Sequence, residues 1–144
     1  IKFEENTLRS VGRSAMGVRG IRLREGDEAI NAITSNDGGS ILSITQNGYG
    51  KLTPVSKYRT QRRGGKGVIN LKVSQKTGSV AKVLAAAGNE SVTLINSKGI
   101  AITFEVESIR TTGRAASGVR LMRLPEGAKV VDAMLEEKGV ADAS

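Results

Sequence analysis

Three cations and three glycines lie within seven residues near the middle of the chain, in the order Gln61-Arg62-Arg63-Gly64-Gly65-Lys66-Gly67. Glycine permits backbone conformations with positive φ and lets a second backbone come close. Arg and Lys side chains on such a loop can contact the phosphates of a nucleic acid. A solvated turn with charged tips is the plainer interpretation, since runs of charge usually face water. The surrounding charge and the repeats described below favour a polyanion-binding loop.

The sequence around this loop has a one-sided charge. Between Gly38 and Asn89 there is no Asp or Glu, and nine Lys and Arg residues give this window a charge of +9. The whole chain has 22 basic and 14 acidic residues, a net charge of +8, so the window carries more than the net excess. A positive field concentrated in this way is typical of proteins that bind polyanions.

The basic loop has two further copies, because the stretches 8–18, 58–68 and 109–119 align at offsets of 50 and 51 residues. The matched positions hold two arginines and one glycine in each copy: Arg9, Arg13 and Gly17; Arg59, Arg63 and Gly67; Arg110, Arg114 and Gly118. Each copy lies in a stretch without acidic residues. A period near 50 residues predicts an array of similar supersecondary units, as in propellers and solenoids.

Short strands are predicted between these loops, because brief apolar or alternating segments recur every 8 to 12 residues between turns rich in Gly and Asn. The predicted strands are 18–23, 29–34, 41–45, 51–58, 68–73, 80–85, 92–96, 100–109 and 119–124. A helix is conceivable at 131–138, but alignment of 131–134 with 80–83 favours a strand at its start. The pattern predicts an all-β fold.

The Gln-Arg-Arg-Gly-Gly-Lys-Gly stretch matches the diagnostic box of the C-terminal domain of the DNA gyrase A protein, and the 50-residue repeat resembles the blades of that domain. The similarity covers essentially all 144 residues, and the stretches 17–23 and 46–51 look like its later blades. In that family the box typically lies in the first blade, whereas here a degenerate copy precedes it.

The resemblance implies a β-pinwheel, a propeller-like array of four-stranded antiparallel blades, of which this chain is a part. We expect one partial domain made of repeats at about 1–26 (incomplete), 27–76, 77–127 and 128–144 (incomplete).

Catalytic chemistry is not expected in this chain. It has no His, the commonest general base and metal ligand, and no Cys. Gly64 to Gly67 lacks the spacing and the hydroxyl of a phosphate-binding P-loop. No apolar stretch approaches the ~20 residues of a membrane helix, and only four aromatic residues are present, too few for a platform that stacks single-stranded bases. We therefore expect no catalytic residue, no metal site and no membrane partner.

Two classes of function remain compatible with the sequence. One is a module that binds and bends double-stranded DNA through phosphate contacts. The other is a propeller-like scaffold whose positive face binds acidic proteins. The predicted DNA-binding residues are Arg9, Arg13, Arg19, Arg59, Gln61, Arg62, Arg63, Gly64, Gly65, Lys66, Gly67, Arg110, Arg114 and Arg120.

The resemblance implies that the module wraps DNA for a gyrase, whose other domains use ATP and Mg²⁺ to add negative supercoils. The fragment itself is then expected to need no cofactor. Its expected partners are duplex DNA, the rest of the gyrase A protein and the gyrase B protein, and its expected location is the cytoplasm, at the nucleoid. The C-terminal domain of the corresponding topoisomerase IV protein is the alternative within the same enzyme class.

Overall fold

The computed structural model describes residues 1–5, 20–34 and 38–137. The first predicted basic loop, with Arg9, Arg13 and Arg19, therefore lies outside the described residues. So do part of the turn predicted at 36–39 and the last seven residues of the chain. In the described ranges, no helix has the length and apolar character needed to cross a bilayer.

Seven strands form two antiparallel sheets, in agreement with the predicted all-β fold. The strands are β1 (Ser40–Thr45), β2 (Tyr49–Pro54), β3 (Val80–Ala86), β4 (Glu90–Asn96), β5 (Ala101–Glu105), β6 (Val119–Arg120) and β7 (Val130–Glu137). The first sheet has the order β3-β1-β2-β6, and the second has the order β5-β4-β7. The prediction of four strands per blade holds for the first sheet, whereas the second has three strands among the described residues.

Each sheet is built from a hairpin and later strands, β3 and β6 in the first sheet and β7 in the second. β1 pairs with β2 and β3, so that Leu42 lies opposite both Leu52 and Leu84. In the second sheet β4 pairs with β5 and β7 in the same way. Both first strands have a register irregularity at the equivalent point, after Ile44 and after Ile95. The two sheets are therefore structural repeats, and each hairpin is completed by a strand of the following repeat.

The hydrophobic core lies between the two sheets. Leu42 and Leu52, which share one face of the first sheet, belong to the same buried cluster as Val92 and Leu94 of the second. Burial of each such side chain contributes about 1.5–3 kcal/mol to folding. The alternation of buried and half-buried residues along β4 places Val92 and Leu94 on the face that meets the first sheet.

Several predicted strands are wrong. Residues 29–34 and 68–73 form no strand, the described part of 18–23 forms only one bridge at Ile21, and 119–124 is a strand only as far as Arg120. Alternation of apolar and polar residues predicts which face a side chain occupies, but not whether the backbone has a partner to pair with. The possible helix at 131–138 is a strand as far as Glu137, as the alignment with 80–83 indicated.

Candidate nucleic-acid interface

The predicted box, which we call the box loop (Gln61–Gly67), is held mainly by its backbone. The Gln61 N–H donates to the Lys2 carbonyl (2.8 Å) and the Gly64 N–H donates to the Gly20 carbonyl (2.7 Å). The Gly65 carbonyl accepts from the Arg22 N–H at 2.8 Å. These bonds tie the backbone of the loop to two separate segments of the preceding repeat.

Glycine is required at two positions of the box loop. Gly64 and Gly67 have φ values of 81° and 82°, in the left-handed region that favours glycine. A Cβ at Gly67 would lie 3.2 Å from the backbone nitrogen of Ile1. The glycines thus let the loop turn tightly and lie directly against the first residue of the chain.

The cations of the box loop differ in exposure. Arg62 and Lys66 are exposed, as is Arg59 just before the loop, whereas Arg63 is half-buried. Within the described ranges, no carboxylate forms an ion pair with Arg59, Arg62 or Lys66. Three positive charges therefore face solvent without neutralisation.

The third basic loop (Thr112–Gly118) repeats part of this backbone arrangement. The Thr112 N–H donates to the Leu52 carbonyl (2.8 Å), and the Ala116 carbonyl accepts from the Lys72 N–H (3.2 Å). Ala115 replaces the glycine found at position 64. Since no described residue other than glycine has a positive φ, the backbone at Ala115 cannot follow the turn that Gly64 makes.

The guanidinium of Arg114 joins the two loops. Its Nε donates to the carbonyl of Lys57 and its Nη1 donates to the carbonyl of Ile69, both at 2.8 Å. Lys57 precedes the box loop and Ile69 follows it, so this one side chain holds the third basic loop beside the box loop. A phosphate contact at Arg114 stays a prediction, but its guanidinium already has two carbonyl partners.

Lys51 holds the third basic loop through hydrogen bonds from its side chain. Its side chain is fully buried, and its Nζ donates to the carbonyls of Gly113 (2.8 Å) and Arg114 (2.7 Å). Burial, and then the nearby positive charge of Arg114, lower the pKa of Lys51 to about 8. Sequence reasoning missed this residue. The repeat could have indicated it, because the position that corresponds to Lys51 in the next repeat holds Ile102. An apolar residue at that position is typical of a buried site.

A small polar network lies near the same sheet face. Asn70 Nδ2 donates to Ser43 Oγ (2.8 Å), and Asn70 Oδ1 accepts from the Tyr58 hydroxyl. Burial raises the pKa of Tyr58, so its hydroxyl is a donor at neutral pH. Tyr58 and Asn70 flank the box loop in sequence, and the network fixes both of its ends to the sheet.

The structure brings some of the predicted residues together and separates others. Arg59, Arg62, Lys66 and Arg110 are exposed on the two neighbouring loops. Arg120 lies on β6, the outermost strand of the first sheet. The residues of the first basic loop lie outside the described residues.

These loops can supply phosphate recognition without base readout, since long cationic side chains and backbone N–H groups contact phosphate irrespective of sequence. Among the described residues, no group of three or more acidic side chains could hold a metal ion.

Comparison with known proteins gives a consistent result. The DNA gyrase C-terminal domain family, described as a β-propeller, matches residues 1–36, 39–87 and 90–135. The DNA gyrase A protein of Staphylococcus epidermidis (strain ATCC 12228) is 43% identical over 129 residues, which cover 88% of this chain and 14% of that protein. The chain thus spans a small part of that relative's length.

Two solved structures share the fold at 25% sequence identity. A DNA gyrase A C-terminal domain has a TM-score of 0.86 over 92% of this chain and 45% of the solved chain. The C-terminal domain of a DNA topoisomerase IV has a TM-score of 0.84 over 94% of this chain and 42% of the solved chain.

Proposed function

The chain belongs to the DNA gyrase C-terminal domain family, and we propose that it binds double-stranded DNA through its phosphates as a non-catalytic part of a gyrase A protein. The observation that carries the proposal is the pairing of the two basic loops by Arg114. Its two hydrogen bonds hold the third basic loop against the residues that flank the box loop, which supports a shared phosphate path for their exposed cations. Successive repeats then present phosphate-binding groups along one path.

The mechanism is electrostatic capture followed by bending. Arg59, Arg62 and Lys66 contact phosphates on one loop, and Arg110 continues the path on the next. Because each loop is fixed to a sheet, contact with several loops obliges the duplex to follow the curvature of the array. Bending 20–30 base pairs smoothly costs on the order of 1–6 kcal/mol, which phosphate contacts at each repeat offset.

The remaining parts of the proposal follow from membership in a gyrase A protein. ATP hydrolysis and strand passage belong to other domains and to the gyrase B protein, so this chain needs no cofactor of its own. It acts in the bacterial cytoplasm, at the nucleoid, where its duplex partner lies. A gyrase is favoured over a topoisomerase IV because the 43%-identical relative is a gyrase protein.

Binding of acidic proteins is the second candidate, since the same exposed cations would attract any polyanion. The test compares the affinity of the chain for a 40-base-pair duplex with that for polyglutamate of equal charge, from 50 to 300 mM salt. Neutralisation of about four phosphates predicts a log-log salt slope of about −4 for the duplex. Fluorescence transfer between the duplex ends should also rise as the DNA bends. Tighter binding to polyglutamate, or a duplex that binds and stays straight, would contradict the proposal.

A further inference from the structure

A cleft of about 440 Å³ opens beside the first sheet, between the turn at 75–77 and the segment 120–128. Three of the side chains that line it are cations, Lys76, Arg120 and Arg123, and no described residue that lines it is acidic. Only Arg120 was predicted from the sequence to contact DNA. The cleft is thus a cationic site that the basic loops do not account for.

Tyr49 organises two of these cations. Its side chain is only 6% exposed, and it lies directly opposite Arg120 in the pairing of β2 with β6. The Lys76 ammonium lies 5.6 Å from the centre of the tyrosine ring, and the Arg120 guanidinium lies 5.4 Å from it. Arg120 Nη2 also donates to the tyrosine hydroxyl at 3.0 Å. The ring thus orders both cations before any ligand arrives, and its burial leaves it unsuited to stacking on a base.

Asn47 fixes the other wall of the cleft. Its Nδ2 donates to the carbonyls of Gln75 (3.0 Å) and Lys76 (3.2 Å), which locks the turn that carries the Lys76 side chain. Its Oδ1 accepts from Lys129 Nζ at 2.6 Å. A fourth positive charge is therefore held close to the cleft.

These charges are not neutralised within the protein. Lys82 and Asp132 form an ion pair nearby in the fold, at 3.5 Å. No carboxylate pairs with Lys76, Arg120 or Arg123 in the part of the chain that the structure describes. Like charges around one cleft repel each other, and a bound anion relieves that repulsion.

We propose that this cleft binds one backbone phosphate of duplex DNA and continues the path of the two basic loops. The inference rests on the proposed function. It is supported by continuity, because β6 begins directly after Gly118, at the end of the third basic loop, and lies at the outer edge of the first sheet. A duplex leaving that loop along the outer strand meets Arg120 next, and Lys76 and Arg123 line the same cleft. At the corresponding position of the second sheet, Ile100 replaces Tyr49, so the ring that orders Lys76 and Arg120 has no counterpart there.

The test compares two double variants of the 144-residue chain. Lys76→Ala/Arg123→Ala removes two exposed cleft cations and leaves the Tyr49–Arg120 pair intact. Arg24→Ala/Lys98→Ala removes one Arg and one Lys that do not line the cleft, and is the matched control. We expect the cleft variant to bind a 40-base-pair duplex about fivefold more weakly than the control at 100 mM salt, with a salt slope shallower by about 1. Thermal unfolding checks that both variants fold like the wild type.

A second measurement separates a DNA phosphate from a free anion. Backbone amide signals of Lys76, Arg120 and Arg123 are followed by NMR during titration with the duplex and, separately, with 10 mM inorganic phosphate. Shifts with the duplex support the inference. Shifts with inorganic phosphate alone, or equal duplex affinity of the two double variants, overturn it and leave the proposed function standing. A wild-type chain that binds no duplex at 50 mM salt overturns the proposed function itself.

Discussion

The box loop and the third basic loop occupy equivalent places in successive repeats, yet they are held in different ways. The box loop is fixed by backbone hydrogen bonds, one donated by the Gly64 N–H and one accepted by the Gly65 carbonyl, and its Arg62 and Lys66 side chains face solvent. The third basic loop has alanines at the two glycine positions. It keeps backbone bonds at Thr112 and Ala116 but has two further supports, the Arg114 and Lys51 side chains, which donate to backbone carbonyls.

This difference goes with a different placement of charge, because Gly113 and Ser117 stand where the box loop has Arg62 and Lys66. In the box loop, glycine lets the backbone turn tightly, and the Arg62 and Lys66 side chains stay exposed to solvent. In the third basic loop, where alanine prevents that turn, the Arg114 guanidinium and the buried Lys51 ammonium donate to backbone carbonyls.

The glycine that ends each loop should reveal how closely that loop packs. Gly67 and Gly118 have similar φ values, 82° and 86°, but an added Cβ would lie 3.2 Å from the Ile1 nitrogen in the first case and 2.5 Å from the Gly50 carbonyl oxygen in the second. We expect Gly118→Ala to lower the free energy of unfolding by about 3 kcal/mol, and Gly67→Ala by about 1–2 kcal/mol. Urea denaturation measures both values. Equal losses in the free energy of unfolding would show that Gly67 and Gly118 pack equally closely against the neighbouring backbone.

Removal of Arg114 should affect stability more than DNA binding. Arg114→Ala leaves the carbonyls of Lys57 and Ile69 without this donor, and loss of two charged hydrogen bonds should cost about 2 kcal/mol in the free energy of unfolding. The salt slope of duplex binding should change by less than about 0.5. Arg110→Ala, at an exposed position, is the control. It should leave the free energy of unfolding almost unchanged and make the salt slope shallower. A stable Arg114→Ala chain with a clearly shallower slope would show that Arg114 contacts phosphate directly.

The exposed cations of the box loop should behave in the opposite way. Arg62→Ala/Lys66→Ala should leave the free energy of unfolding within about 0.5 kcal/mol of the wild type. Duplex affinity at 100 mM salt should fall about tenfold, with a slope shallower by about 2. Bending, measured by fluorescence transfer between the duplex ends, should fall further, because curvature needs a contact at every repeat. If slope and bending match those of the wild type, the box loop is a solvated charged turn.

The buried ammonium of Lys51 predicts a pH dependence of stability. Its pKa is about 8 in the folded chain and 10.5 as the ordinary value, so between those pH values the unfolded chain binds more protons than the folded chain. Folding should therefore become more favourable as pH rises through that range. Relative to Lys51→Met, the wild type should gain on the order of 1 kcal/mol between pH 7 and pH 9. The neutral amine keeps two N–H groups for the Gly113 and Arg114 carbonyls. If the difference in the free energy of unfolding between the wild type and Lys51→Met does not change with pH, the pKa of Lys51 in the folded chain is at its ordinary value.

The sequence predicted the repeat, the hairpins and the family because each depends on local pattern. The turn around Gly48 and the alternation along β4 predicted both hairpins, but the predicted second strands, 51–58 and 100–109, run about four residues past the observed ends at Pro54 and Glu105. The segment 68–73 has a similar alternation but no strand beside it, since its contacts to the third basic loop include only one backbone bond, from Lys72 to Ala116. Pairing partners that lie far apart in sequence leave no such pattern.

The candidate site was predictable in its charge but not in its division of roles. Glycines and cations in one short loop indicated a polyanion contact, and Arg62 and Lys66 are exposed as that contact requires. Nothing about Arg114 in the sequence distinguishes it from Arg63 at the matched position, because its partners are backbone carbonyls, which every residue carries. A buried lysine such as Lys51 is rare enough that a charged residue in a basic window is expected at the surface.

The completion of each sheet by a later strand has a consequence for synthesis on the ribosome. The β1–β2 hairpin is finished at Pro54, but its partners β3 and β6 begin at Val80 and Val119. Until those residues leave the exit tunnel, the hairpin has two unpaired edges, which favour pairing with other chains. Each newly made repeat then covers the edges of the one before it. A pause in translation between Pro54 and Val80 would prolong the interval in which the nascent chain is prone to aggregate.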